Sequence, residues 1–305
     1  MKQKLQDWLI KHKNHPVVSF LDALIYRIIH FEIFPRAGQL SYFTTLSLFP
    51  FIIALLNILN YTTFADPSFI RNLVSYLPES TGQIILSFVD QITINSSASL
   101  LSISLIAGLW SASSGVRQLI KTINLAYSLQ ERRSFLQRSF LGLGFTVGLI
   151  IMVVLLLFSR LVGSQLIQRL ANYLPLNKES IYYLNRSLAI IGPIFALIFL
   201  MLLYGFSPDL SIKKQGISTL LPGSLFALIG ILAGTIGFTY YVTQFGTYAI
   251  TYGYFAGMIL LLLWIYLVNV VLEIGGQINA LLYLKKQDAL TWPRKETVLK
   301  KFIEE

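Results

Sequence analysis

Polar and apolar positions along this chain fall into blocks. Residues 37–65, 91–116, 139–159, 187–208 and 215–272 contain no charged residue. Each block is at least as long as the roughly 20 residues a helix needs to cross a bilayer. The last is long enough for two crossings, and its middle, Thr239 to Tyr248, gathers Tyr, Thr, Gln and Gly. Tyrosine belongs at the headgroup level, where the ring is buried and the hydroxyl stays wet. The pattern therefore predicts six spans, near 38–60, 98–120, 139–160, 187–208, 217–239 and 254–280. Ahead of them, apolar residues at 17, 18, 21, 24, 25, 28, 29 and 31 recur at helical spacing, interrupted by Asp22, Arg27 and Glu32. That segment is too charged to span and reads as an amphipathic helix on the cytoplasmic interface, broken by Pro35. The expected fold class is all-α, a polytopic bundle of six transmembrane helices with an N-terminal interfacial helix. It divides into a cytoplasmic N-terminal segment (1–35), a membrane domain (36–285) and a basic cytoplasmic tail (286–305). Between spans, 66–95 and 161–185 read as outer loops, the second with an amphipathic segment at 161–174 ending at Pro175.

Composition agrees with the blocks. Hydrophobic residues make up 55% and charged residues 12%, against about 25% charged in a soluble domain. Residues 1–15 are basic and lack the apolar stretch of a cleaved signal, so the first span is expected to act as the insertion signal. Cysteine is absent, which excludes a disulfide framework and thiolate chemistry. The net charge of +10 looks at first like a nucleic-acid signal, and its placement says otherwise. Eighteen basic residues lie in 1–36, the loops after spans 2 and 4, and the tail; five lie in the alternate loops. The positive-inside rule puts the richer set, and so both termini, in the cytoplasm. Anionic lipid on that face is the expected partner, with no nucleic acid, and a homo-oligomer is left open.

Charges and amides within the spans carry the candidate chemistry. Span 1 opens with Arg36 and continues through Ser41, Tyr42 and Thr45. Span 2 carries Trp110, Ser114, Arg117, Lys121 and Asn124 at heptad-like spacing, on one helix face. Span 6 places Tyr266, Asn269, Glu273 and Gln277 on one face. Counted at ~1.5 Å per residue, Arg36, Arg117 and Glu273 reach a similar depth near the inner headgroups. A charge in lipid turns toward the bundle interior and a partner, so Glu273 is expected to approach Arg36 or Arg117. The bland alternative is an ion pair that fixes helix register, or basic side chains that snorkel to the interface. Glycines four apart, such as Gly144 with Gly148 and Gly230 with Gly234, provide for close helix packing. The three histidines, His12, His15 and His30, lie in the N-terminal segment without metal-ligand spacing, and no phosphate loop or nucleophile elbow occurs. No enzyme, metal site or cofactor is implied.

Several of these stretches resemble the YihY/BrkB family of bacterial inner-membrane proteins. They are Arg36-Ala37 with Ser41 to Thr44 and Ser47 to Pro50; Leu109 to Gly115; Asn124 with Tyr127; Leu221-Pro222-Gly223; and Tyr252-Gly253 leading to Leu263 to Tyr266. The closing Glu273 to Ala280 looks like the family's final signature, with Gln277 in its acidic position and Glu273 one turn earlier. The resemblance covers roughly residues 20–285 and implies a six-span protein of the bacterial cytoplasmic membrane. An old ribonuclease label attaches to that family, and no residue pattern in this chain supports nuclease chemistry. The family has also been linked to serum resistance, to lipid or lipid-linked precursor movement, and to cation/proton exchange. Three function classes follow: movement of a lipid or lipid-linked envelope precursor between leaflets, cation/proton exchange through Glu273, and a non-transporting envelope scaffold. The pathway candidates are Arg36, Ser41, Tyr42, Thr45, Trp110, Ser114, Arg117, Asn269, Glu273 and Gln277.

Overall fold

The computed structural model describes residues 15–60, 86, 98–129, 131–173, 177–210, 215–244 and 247–287. These form seven helices and no strand: α1 (Pro16–His30), α2 (Ile33–Asn60), α3 (Ala98–Ala126), α4 (Phe135–Tyr173), α5 (Lys178–Phe206), α6 (Ile217–Gln244) and α7 (Thr247–Lys286). Each expected span lies within one of α2 to α7 except 187–208, which runs past the end of α5 at Phe206. Phe135–Leu155, Ile217–Val242 and Gly257–Lys286 are long and apolar enough to cross a membrane, and Ile190–Phe206 is a shorter apolar run. Apart from residue 86, the expected loop at 66–95 lies outside the described residues, as does the tail beyond 287.

Local chemistry sets where the helices start and stop. Pro16 occupies the first turn of α1, and His15 Nδ1 accepts from the Val17 amide at 3.4 Å, so a missing N–H costs nothing there. The break before α2 falls at Phe31 and Glu32, not at Pro35 as expected. Proline is tolerated in a helix's first turn, and α2 begins at Ile33. Glu32 instead makes the elbow, with φ +48°. Ser134 and Gln137 form a reciprocal capping box at the start of α4: Gln137 N donates to Ser134 Oγ at 3.3 Å, and Ser134 N to Gln137 Oε1 at 2.9 Å. From there α4 runs unbroken to Tyr173, so 161–173 continues that helix and is not a separate loop element.

Packed pairs run in chain order: α2 on α3, α3 on α4, α4 on α5, α5 on α6, α6 on α7, and α7 back on α2. The six long helices thus close a ring. α7 also reaches across it to α3 and carries α1. Leu40, Ile120, Ile123, Leu203, Tyr204 and Leu272 fill the shared core. Two close approaches lock the ring. A side chain on Gly115 would meet Ser47 Oγ at 2.7 Å and the Thr44 Cα at 3.3 Å, so glycine lets α3 close on α2. On α6, Gly223 lies against the Gly275 carbonyl and the Asn279 side chain of α7. The Gly223 amide donates to Asn279 Oδ1 at 2.7 Å, and Tyr204 of α5 donates to the Leu272 carbonyl at 2.8 Å. Of the expected glycine pairs, Gly230 and Gly234 receive Val271 and Leu267, whereas Gly144 faces open space.

Exposure runs opposite to that of a water-soluble bundle. Val17, Leu21, Ile25 and Ile29 form an exposed apolar stripe along α1, while Asp22 and Arg27 are buried. Ile106, Phe140, Ile217, Ile236 and Ile259 are likewise exposed. A soluble protein rarely leaves such contiguous apolar area open.

Candidate functional site

A polar seam runs along one face of α7. Asn269, Glu273 and Gln277 are spaced four apart, so they stack over ~12 Å, and all three are buried. At the deep end Asn269 Nδ2 donates to Ser41 Oγ of α2 at 3.1 Å, and Ser41 in turn donates to the Ala37 carbonyl at 2.6 Å. At the other end Arg27 of α1 donates from Nε to Gln277 Oε1 at 2.6 Å. Its Nη2 bonds to the Ala126 carbonyl at the end of α3. Burial pulls the Arg27 guanidinium down to about 10, so it remains charged at neutral pH. In the sequence, Arg27 reads only as an interruption of an interfacial helix. The available signal was its place on the far side of α1 from the apolar stripe: once that stripe faces outward, the opposite side must meet protein or water.

Glu273 sits between these two anchors. It is 6% exposed, and its Oε1 has no hydrogen-bond partner. Arg36 is close enough for the two charges to interact, but among the described residues no direct ion pair joins Glu273 to Arg36 or Arg117. Arg36 instead leans toward the Phe31 ring at the α1–α2 elbow, 5.9 Å from its centroid, with Arg27 on the same ring at 4.9 Å.

Arg117 belongs to a second station, between α3 and α4. Its stem lies against Gly142 of α4, Nη1 bonds to Ser113 Oγ, and the guanidinium lies 5.3 Å from the centroid of the Trp110 ring. Trp110 is 45% exposed. The neighbouring hydroxyl is thus Ser113, which is buried, whereas the expected Ser114 is half-buried. The heptad face of span 2 also divides: Asn124 is buried and Lys121 exposed. Tyr42 turns away from the seam and is 58% exposed, edge-on to Phe43. Thr45 Oγ1 is buried without a partner. The structure therefore brings Ser41, Asn269, Glu273 and Gln277 together with Arg36 nearby. It keeps Trp110 and Arg117 apart from them, because their helix presents that face to α4.

Below both stations a polar plug ties the helix ends. Arg133 donates to the carbonyls of Phe206, Ser207 and Pro208 at 2.6–3.0 Å and pairs with Asp209 at 3.5 Å. A cation suits the exposed carbonyls and partial negative charge at a helix C-terminus. Asn124 bridges, accepting from the Asp209 amide at 2.9 Å and donating to Glu131 Oε2 at 3.2 Å. Burial raises the Tyr127 phenol above its usual range, so it stays neutral and donates to Gln215 at 3.4 Å.

Among known proteins, the model of the virulence factor BrkB family matches residues 24–298. A ribonuclease-like protein of Bacillus subtilis (strain 168), YfkH, is 31% identical over 273 residues, covering 88% of this chain and 97% of its own length. A UPF0761 membrane protein of Vibrio atlanticus (strain LGP32) is 28% identical over 281 residues, covering 88% and 84%. Another, of Cronobacter sakazakii (strain ATCC BAA-894), is 25% identical over 282 residues, covering 90% and 91%. No solved structure matches the chain. Apolar helices, an inverted pattern of exposure and a family match across nearly the whole chain agree: this is a membrane protein of the virulence factor BrkB family.

Proposed function

We propose that the protein is a transport-class component of the bacterial cytoplasmic membrane that moves a lipid or lipid-linked envelope precursor between leaflets. In this reading α2 to α7 are six spans, both termini are cytoplasmic, and the expected division at 36–285 bounds the working domain. The observation that carries it is Arg117, a charge set in an expected span, held beside a half-exposed tryptophan and without an acidic partner among the described residues. A cation that opens sideways toward lipid suits an anionic headgroup whose tail stays in the bilayer; an ion pathway would instead be enclosed. The closed seam at Ser41, Asn269 and Glu273 would be the interior station, with Arg36, Thr45 and Gln277 around it. Trp110, Ser114 and Tyr42 would lie toward the lipid side.

A second reading, cation/proton exchange, is favoured by one observation, the buried and unpartnered Glu273 Oε1. We assign no enzymatic activity: Glu273 is the single carboxylate within the expected spans, and the ribonuclease-like name belongs to the Bacillus relative. Reconstitution into vesicles with a fluorescent lipid and a pH-sensitive dye, read side by side, separates the readings. Lipid movement that stops in Arg117→Gln supports the amphiphile. A proton flux that stops in Glu273→Gln, with no lipid movement, supports exchange. Neither signal from well-folded protein leaves the scaffold.

A further inference from the structure

Three cations gather on the groove between α3 and α4 with no acidic side chain on either helix. The Arg117 guanidinium points back toward the start of α3, onto Ser113 and Trp110. That is away from the nearer helix end, where a lone arginine would snorkel. Lys121 follows one turn along α3, and Arg138 precedes Gly142 by one turn on α4, on the side that meets Arg117; both are exposed. Neither α3 nor α4 contains Asp or Glu. The adjacent loop acids are already engaged, Glu131 by Asn124 and Asp209 by Arg133.

The groove also continues as apolar surface away from the cations. Ile106 and Trp110, on the Arg117 side of α3 by helical spacing, are exposed. A free phosphate would leave that surface unused, whereas a headgroup with its chains attached would cover it.

Resting on the amphiphile reading above, we infer that this groove binds the phosphate of an anionic glycerophospholipid from the inner leaflet. Lys121 and Arg138 hold the phosphate oxygens at the mouth of the groove, Arg117 adds its charge about two turns farther in, and Trp110 lies along the chains. Cationic donors around a phosphate form short, charge-assisted hydrogen bonds.

Native mass spectrometry of the full chain, released from micelles holding equal phosphatidylglycerol and phosphatidylcholine, tests the site. Preferential retention of phosphatidylglycerol is expected. It should fall at least tenfold in the Lys121→Gln, Arg138→Gln double variant, whose positions are exposed and leave packing intact. A control with the same charge change, Lys285→Gln with Lys286→Gln, should retain the lipid. Equal loss in both double variants, or none in the first, overturns the site in favour of diffuse attraction to a basic surface. Competition by glycerol 3-phosphate as effective as by the lipid overturns the lipid as occupant. Lipid movement in vesicles separates this site from the wider reading. Selective retention without any movement overturns transport and keeps the site, while movement that survives Arg117→Gln overturns the site and keeps transport.

Discussion

Arg27 and Glu273 show how the same kind of residue, a charge among apolar neighbours, can be held in opposite ways. Arg27 is 2% exposed and hydrogen-bonded at both ends of its guanidinium. Hydrogen bonds to charged groups contribute about 1.5–3 kcal/mol each. Arg27→Met should therefore lower the melting temperature in detergent and free α1 for proteolysis. Glu273 has no direct ion pair to lose. Its replacement by Gln should leave the melting temperature unchanged or higher, since burying an unpaired charge is costly. A drop of several degrees would show that the carboxylate supports the fold through a base.

At the scale of elements, the tightest joint is the crossing of α6 and α7. Gly223→Ala would push a methyl into the Gly275 carbonyl and the Asn279 amide. Overpacking against backbone costs about 1–3 kcal/mol and would also displace the Gly223–Asn279 bond. Gly237→Ala, on the same helix with nothing within 4 Å, should be neutral or stabilising by up to ~1 kcal/mol, because alanine is the better helix former. Thermal unfolding of the two variants in one detergent gives the comparison, and equal effects would contradict the crossing. These joints were only half legible in the sequence. Small residues four apart marked Gly230 and Gly234 correctly and Gly144 wrongly, since spacing fixes a shared face and not what that face meets.

For the whole molecule, the split of basic residues into eighteen and five sets a topology that labelling can check. In this cysteine-free chain, Asn177→Cys at the start of α5 should react with an impermeant reagent in intact cells. Gln137→Cys, in the exposed first turn of α4, should react only after the membrane is opened. The reverse result would invert every span. The ring of helices also gives the stations their difference: α7, which touches α2, α1 and α3, carries the closed seam, and the α3–α4 pair carries the open groove.

The sequence alone was enough for the helical class, the blocks that became α2 to α7 and the family, because these depend on composition and on the spacing of apolar positions. It did not determine which charges meet. Arg36, Arg117 and Glu273 were expected to share one cluster, yet Arg117 turned to Ser113 and Trp110, and Arg27 took the place at Gln277. Which neighbour a helix face meets depends on the rotation of each helix and its position in the ring. Those are set by close approaches such as Gly115 on Thr44 and Gly223 on Gly275, between residues far apart in the chain. Only the packed tertiary structure could decide them.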